Sequence, residues 1–174
     1  MKRIAFIKTS LLVFVLSGMS MFALAQKASP AAVAKGAING ANVTIKYSSP
    51  GVKGRHIYGD LVPYDQVWRA GANEATTFET DKDLTVGGKT LPAGKYSIYA
   101  LVTAKDWTII FNSQTGQWGV NRDGTTTEDP AKDVVRVTVT PKKAAALVER
   151  LIYTINNDGF VLSWENLDVP VSMK

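Results

Sequence analysis

The sequence predicts an all-β protein, namely an antiparallel two-sheet β-sandwich of jelly-roll-like form, and three observations predict it. Segments in which apolar and polar residues alternate recur at spacings of about ten residues. Three of the connections between them carry the asparagine and glycine residues of tight hairpin turns. No segment has the length and period of a long amphipathic helix. We therefore expect roughly eight or nine short strands, which is typical of a sandwich.

The N-terminal residues are expected to be removed before the protein reaches its destination. Three basic residues precede the apolar run Leu11 to Phe22, which leads into Ala23-Leu24-Ala25, a small-x-small cleavage pattern. This arrangement predicts a helical signal peptide over residues 1–25, cut before Gln26, and a protein that is periplasmic or secreted. An uncleaved membrane anchor is the alternative, but the apolar stretch is shorter than the about twenty residues that a span needs.

Composition excludes several classes of protein. The 174-residue chain has no cysteine, one histidine and 45% hydrophobic residues, which excludes a disulfide-stapled miniature, a thiolate metal site and a disordered tail. It also leaves no zinc centre of ordinary composition, so we expect no metal and no cofactor. Removal of residues 1–25 takes three cations and no anion from a net charge of +5. The remaining chain is weakly charged, and we expect neither nucleic acid nor, after cleavage, a membrane as its partner.

The first strands are predicted to form a hairpin. From Ala41 onward, apolar Val43 and Ile45 alternate with polar residues, as in a strand with one face on a core. The preceding Asn39-Gly40 supplies the positive φ angles of a two-residue turn, which makes Ala32 to Ile38 the partner strand. We therefore divide the mature chain into an N-terminal segment with the first hairpin, residues 26–40, and a β-sandwich domain, residues 41–174.

Two further hairpins and two central strands follow the same logic. Gly87-Gly88 separates two short strand-like segments, and Asn157-Asp158-Gly159 separates Leu147 to Ile155 from Phe160 to Trp164. Between these hairpins, Lys95 to Thr103 and Trp107 to Asn112 are apolar on both faces. Such strands are expected in the middle of the fold, covered on both sides.

The remaining segments include one ambiguous region and two long loops. Asp133 to Thr140 is rich in β-branched residues and predicts a strand. For Lys142 to Ala146, which follows a Thr-Pro step, both a helical turn and a strand stay open. Pro63 to Ala75 and Gln114 to Lys132 do not fit a strand, and long loops on a rigid sheet are where sites are usually built.

One region, residues 52–76, concentrates histidine, arginine, tryptophan and carboxylates. Strand alternation would place His56, Tyr58 and Asp60 on one face, about 6.5–7 Å apart. A histidine oriented by a carboxylate is a general base, so His56 with Asp60 or Glu74 forms a weak catalytic candidate. The alternative is a partly buried histidine that is hydrogen-bonded at a sheet edge.

The same region predicts a ligand site around Trp68 and Arg69. Arg69 would hold an anion with two parallel hydrogen bonds, and Trp68 would give the ligand a flat face. In the alternative, Arg69 pairs with Glu74 and Asn73 caps backbone groups, so that both brace the loop. Trp118 lies on the second long loop and would offer a surface for stacking a sugar. The candidate ligand-binding residues are Arg55, His56, Tyr58, Trp68, Arg69, Asn73, Glu74 and Trp118.

Several segments of the sequence together resemble a known family. They are VKGR (52–55), LVPY (61–64), WRAGANEAT (68–76), GKTLPAGKYSIY (88–99), Trp107, QWG (117–119) and Trp164-Glu165. From about Ser29 to Val171 the chain resembles the exported bacterial family of unknown function DUF2911. That family has no assigned chemistry, so the resemblance implies neither a substrate nor catalytic residues. It implies that the following residues are typical of the family: Arg55, Trp68, Arg69, Gly71, Asn73, Glu74, Gly94 and Tyr96.

These observations favour an exported β-sandwich that acts as a binding or structural module. Its ligand is expected to be small and polar, a carbohydrate or an anion, and to bind in the region from Arg55 to Glu74. Two alternatives stay open. One is a hydrolase that uses His56 with a carboxylate as acid and base, and the other is an envelope assembly protein that works through an exposed sheet edge.

Overall fold

The computed structural model describes residues 29–174, and the predicted signal peptide lies outside this range. The described residues form eleven β-strands, paired antiparallel, and one short 3-10 helix at Pro130–Lys132. The all-β, antiparallel class is therefore confirmed. The strands are β1 (Ala31–Ile38), β2 (Ala41–Ser48), β3 (Gln66–Trp68), β4 (Thr77–Thr80), β5 (Leu84–Val86), β6 (Lys89–Leu91), β7 (Gly94–Val102), β8 (Trp107–Asn112), β9 (Asp133–Val139), β10 (Lys142–Asn156) and β11 (Gly159–Ser172).

Seven strands form the main sheet, in the order β1-β2-β4-β7-β8-β9, with β3 also paired to β7. Strands β3 and β4 share one edge of β7, because β4 pairs with its residues 94–97 and β3 with its residues 100–102. The connection between β3 and β4, residues 69–76, therefore runs along the most central part of the sheet. Trp68 ends β3 and Arg69 begins this connection, so the predicted tryptophan-arginine site lies at their junction.

A second layer covers the inner face of the main sheet. The long hairpin β10–β11 supplies Phe160, whose ring centroid lies 6.0 Å from that of Phe78 and 6.5 Å from that of Phe111 on the main sheet. The chain after β11 extends this layer, since Met173 forms a bridge with Val86 of the β5–β6 hairpin. The two layers enclose one hydrophobic core, in a sandwich-like arrangement. The jelly-roll-like connectivity is a finer statement and stays a prediction.

The outer face of the central strands is covered by the loop between β8 and β9. Tyr99 and Ile110 are fully buried there with Ala75. Gln117 of the loop donates its Nε2–H groups to the Tyr99 hydroxyl at 2.8 Å and to Ser97 Oγ at 3.2 Å. The expectation that β7 and β8 are central and covered on both sides is thus confirmed.

Local turn signals predicted the hairpins correctly. Asn39 and Gly40 have φ angles of 45° and 77°, and Gly87 and Gly88 have 57° and 79°, the left-handed values that tight hairpin turns require. The ambiguous segment after Pro141 is a strand, because Lys142 and Lys143 already pair with β11. A helical turn at this position is therefore wrong. Within residues 29–174, no helix is long and apolar enough to span a membrane.

Candidate functional site

The connection between β3 and β4 is held in a compact, strongly turned conformation. Ala70 and Asn73 adopt left-handed φ angles of 51° and 59°. At Gly71 a Cβ atom would lie 2.6 Å from the Thr76 hydroxyl, so only glycine allows this close approach. The Ala70 carbonyl accepts two hydrogen bonds, from Thr76 Oγ1 at 3.0 Å and from the Tyr153 hydroxyl at 2.8 Å. The loop is thereby tied both to itself and to the second layer.

Asn73 anchors the same loop to the first hairpin. Its Nδ2 donates to the Ser29 carbonyl and to Ser48 Oγ, both at 3.1 Å. The interpretation in which Asn73 caps backbone groups therefore agrees with the structure. The same interpretation also expected an ion pair between Arg69 and Glu74, and this pair does not form. Glu74 is exposed, and none of the ion pairs among residues 29–174 joins it to Arg69.

Arg69 is half-buried and has no counterion among the described residues. Its Nε atom is buried and has no hydrogen-bond partner within residues 29–174. Burial lowers the pKa of the guanidinium, as expected for a cation that is partly removed from water. The β8–β9 loop causes this burial, since a Cβ atom at Gly119 would overlap the Cβ and Cδ atoms of Arg69. The charge is thus held in place by packing and not by an ion pair.

Trp68 is fixed in orientation beside Arg69. Its indole N–H donates to the Gly71 carbonyl at 3.1 Å. The ring stacks on Trp164, with centroids 5.9 Å apart and planes inclined by 20°, and it meets Trp107 in a T-shaped contact with centroids 6.2 Å apart. These contacts bury part of the indole, while the remainder faces a cleft.

This cleft has a volume of about 390 Å³. Three cationic side chains line it, those of Lys53, Arg55 and Arg69, and no aspartate or glutamate of the described residues does. Its apolar walls come from Leu61, Val62, Pro63, Val67, Trp68 and Trp164. The arrangement combines positive charge with an aromatic and aliphatic surface.

Arg55 is positioned by backbone carbonyls. Its Nε donates to the Val52 carbonyl at 3.1 Å and its Nη2 to the Gly51 carbonyl at 2.6 Å. The segment that supplies these carbonyls pairs with β10, since the Val52 N–H donates to the Glu149 carbonyl at 2.8 Å. The second layer therefore sets the position of this arginine at the cleft.

The predicted common face of His56, Tyr58 and Asp60 is wrong. Residues 53–60 form turns and not a strand, because Lys53, Gly54 and Gly59 take left-handed φ angles of 51°, 67° and 94°. His56 and Asp60 are exposed, and neither makes a side-chain hydrogen bond within the described range. Strand alternation could not apply once these three residues had turned the chain.

Tyr58 belongs to the aromatic core. It is 3% exposed, and its ring lies 5.0 Å from that of Trp107 and 6.1 Å from that of Trp164. Burial raises the pKa of the Tyr58 hydroxyl, and the charge of Glu165 raises it further. The hydroxyl has no hydrogen-bond partner within residues 29–174. Tyr58 therefore supports the cleft from behind its tryptophan wall.

Trp118 lies outside the cleft. It is 53% exposed on the β8–β9 loop, next to Gly119, which packs on Arg69. Of the candidate residues, the structure brings four together at the cleft: Arg55, Trp68, Arg69 and Asn73. The other four do not line it: His56, Tyr58, Glu74 and Trp118.

Sequence reasoning missed three contributors to the site. Lys53 lines the cleft and stands in the VKGR segment, but a single lysine carries no signal of its own. Gly119 covers Arg69 from a loop fifty positions away. Trp164 is 1% exposed and also forms a wall of the cleft, and its indole N–H has no hydrogen-bond partner within the described range.

An acidic cluster anchors the far end of the β8–β9 loop. Arg136 of β9 pairs with Glu128 at 2.8 Å and with Asp133 at 2.6 Å, and Asn112 Nδ2 donates to Asp133 at 2.7 Å. The pKa of Glu128 is raised, chiefly by burial and then by the neighbouring Asp133, although Arg136 acts in the opposite direction. The described residues contain no group of three or more potential metal ligands.

Comparisons with known proteins identify the family of the chain. The family described as "Protein of unknown function (DUF2911)" matches residues 29–173. Searches of the curated proteins and of the solved structures give no match. The family match covers nearly all of the described residues, including both layers and the cleft between the β3–β4 connection and β11. The chain therefore belongs to the DUF2911 family of proteins of unknown function.

Proposed function

We propose that this protein, once exported to the periplasm or the cell exterior, is a binding module that holds a small anion in the cleft beside Arg69. The observation that carries the proposal is the half-buried guanidinium without a counterion among residues 29–174. Burying a charge is costly unless the charge is paired, and an arginine kept in this state is suited to an anion supplied from outside.

The charge of the cleft supports the same ligand. Lys53, Arg55 and Arg69 all line it, and no carboxylate of the described residues opposes them. In a partly enclosed cleft, neighbouring cations attract an anion more strongly than the same charges would in open water. A neutral ligand would gain less from this charge than an anion.

The hydrogen-bonding groups of the cleft also favour an acceptor. The Nε–H of Arg69 and the indole N–H of Trp164 are buried donors without a partner within the described range, and both residues line the cleft. An ionised carboxylate has only acceptor oxygens to offer such donors, and most of the hydrogen-bonding capacity of phosphate is as an acceptor. Both atoms are buried, so an anion in the cleft would bond to them only after a local shift that exposes them.

A thermal-unfolding titration tests the proposal. Phosphate, acetate and the neutral sugar glucose would be added to the mature protein and to Arg69→Met, which keeps the aliphatic stem and removes the charge. At about one hundred times its Kd, a ligand stabilises the folded state by about 2.7 kcal/mol, equivalent to a rise of roughly 5–10 °C in Tm. We expect such a rise with at least one anion, absent in Arg69→Met.

Two comparisons make the result specific. Lys105→Met removes an exposed cation in the turn between β7 and β8, so it should respond to anions as the wild type does. General stabilisation by salts would raise the Tm of all three proteins equally. The proposal fails if no anion gives the wild type a larger rise in Tm than it gives Arg69→Met. It also fails if glucose gives the wild type a rise equal to that given by the anions.

A further inference from the structure

We infer that the ligand of this cleft is an organic anion with a flat apolar body, such as an aromatic carboxylate. The inference rests on the proposed function, since it names the class of anion that the same cleft would bind. It depends on three features of the cleft: its size, the composition of its walls, and the fixed orientation of Trp68.

The cleft is larger than a simple inorganic anion requires. Its volume of about 390 Å³ lies within the range of about 300–1,000 Å³ in which organic ligands bind. A phosphate or sulfate in contact with Arg69 would leave most of this space to water. The remaining volume can therefore hold a body of several carbon atoms attached to the anionic group.

Several apolar side chains line the remaining space, beside polar ones. Leu61 and Pro63 are exposed to solvent at this position, and Val62 and Val67 lie beside them. Leu61 is 44% exposed, which makes it one of the large apolar side chains that the described residues leave in water. An apolar ligand body that covers it would gain the free energy of removing this surface from water.

Trp68 provides a flat surface that is organised before the ligand arrives. Its N–H is held by the Gly71 carbonyl, and its ring is held by Trp164 and Trp107. A ligand ring that packs on Trp68 therefore loses little free energy to ordering the protein. Aromatic rings in contact add a favourable interaction beyond the burial of apolar surface.

The same groups are poorly suited to a neutral sugar. Each sugar hydroxyl is a donor as well as an acceptor, so a sugar site needs acceptors. Among the described residues, Asn73 and Gln66 are the amide side chains that line the cleft, and no carboxylate does. An aromatic carboxylate, which only accepts, matches the donors of the cleft more closely.

A series of probes separates the two parts of the ligand. Acetate, benzoate and 2-naphthoate carry the same charge on an increasing flat body, naphthalene-2-methanol carries the body without the charge, and glucuronate carries the charge on a sugar. We expect the Kd from calorimetric titration to fall at least tenfold from acetate to 2-naphthoate. Naphthalene-2-methanol and glucuronate should each bind at least tenfold more weakly than 2-naphthoate.

Variants locate the binding. Trp68→Leu should weaken 2-naphthoate at least tenfold and leave acetate unchanged, whereas Arg69→Met should weaken both. Trp118→Ala is the matched control for an exposed tryptophan outside the cleft and should bind like the wild type. Because Trp68 also packs on core tryptophans, an independent readout on the wild type is needed. The indole N–H resonances of Trp68 and Trp164 should shift when 2-naphthoate binds.

The outcomes distinguish this inference from the proposed function. If acetate, phosphate or glucuronate binds through Arg69 as tightly as 2-naphthoate, the flat apolar body is refuted and the anion site stands. If none of the anions binds, or if Arg69→Met binds them unchanged, the proposed function fails as well. If Trp118→Ala alone abolishes binding of 2-naphthoate, the ligand lies on the exposed loop and the inference is overturned.

Discussion

The backbone of Gly119 packs so closely on the side chain of Arg69 that a Cβ atom at position 119 would overlap the Cβ and Cδ atoms of the arginine. These residues lie on different connections, one between β8 and β9 and the other between β3 and β4. The contact explains how a guanidinium becomes half-buried without a counterion among the described residues. It also makes the β8–β9 loop a determinant of the cleft, although Trp118 on that loop lies outside it.

Gly119→Ala is expected to destabilise the protein. Gly119 has no left-handed φ angle, so the cost comes from the overlap with Arg69 and not from backbone strain. Overpacking of this kind typically costs about 1–3 kcal/mol. Thermal unfolding should show a Tm lower by roughly 2–12 °C. Thr115→Ala, at an exposed position of the same loop, is the control and should change the Tm by far less.

The overlap also predicts which second substitution restores stability. Arg69→Ala keeps the Cβ atom that Gly119→Ala would meet, so this pair should remain destabilised. Arg69→Gly removes the Cβ atom and should relieve the overlap, which a double-mutant cycle would detect as coupling. Equal effects of Gly119→Ala in the Arg69→Ala and Arg69→Gly backgrounds would contradict the close contact.

Arg69→Met tests whether Arg69 stabilises the loop through its charge. If the arginine braced the loop through a buried ion pair, loss of the charge would cost about 3–5 kcal/mol. Since the described residues offer no counterion, and the methionine keeps most of the stem that contacts Gly119, we expect an unchanged or slightly higher free energy of unfolding. Denaturant unfolding in a buffer of low anion content measures the difference. A loss of several kcal/mol would restore the brace interpretation.

The sequence predicted those parts of the fold that depend on neighbouring residues. Asn39-Gly40 and Gly87-Gly88 determine their turns through their own φ angles, so the hairpins followed from short segments. The predicted common face of His56, Tyr58 and Asp60 is wrong for a related reason. Turns replace the strand on which that prediction depended.

The cleft could not be predicted, because distant segments create it. Arg55 depends on a backbone segment that pairs with β10, and Arg69 depends on Gly119. Sequence patterns identified Trp68 at the end of β3 and Arg69 at the start of the β3–β4 connection as unusual. Which of them share a cleft follows from long-range strand pairing and loop packing, for which a single sequence contains no local signal.

Glu128→Gln tests the pH dependence of the loop anchor. The pKa of Glu128 is raised above its ordinary value of 4.5 in the folded protein, so folding favours the protonated form. The stability that this group contributes is therefore present below its unfolded pKa and is lost as the pH rises through the folded pKa. Glutamine resembles the protonated form. Glu128→Gln should therefore gain stability relative to the wild type as the pH rises from acid to neutral.

Denaturant midpoints of wild type and Glu128→Gln, measured between about pH 4 and pH 8, provide this comparison. The ion pair with Arg136 forms only while Glu128 is ionised, and its favourable effect is already contained in the net upward shift of the Glu128 pKa, so it does not reverse the trend. The trend with pH is therefore the readout. Glu79→Gln, at an exposed position on β4, is the control. A difference that stays constant with pH, or falls as the pH rises, would contradict the raised pKa of Glu128.

The Ala70 carbonyl should reveal a coupling between Thr76 and Tyr153. Both hydroxyls donate to this one oxygen, at 3.0 and 2.8 Å, and both side chains are buried. Tyr153→Phe leaves the bond from Thr76 in place and should cost about 1 kcal/mol, as should Thr76→Val. The double variant leaves a buried carbonyl without either donor, so it should lose more stability than the two single variants together. Denaturant unfolding of the four proteins measures this coupling, and additive losses would mean that another group can satisfy the carbonyl. Since Ala70 directly follows Arg69, the double variant should also weaken anion binding, whereas each single variant should largely retain it.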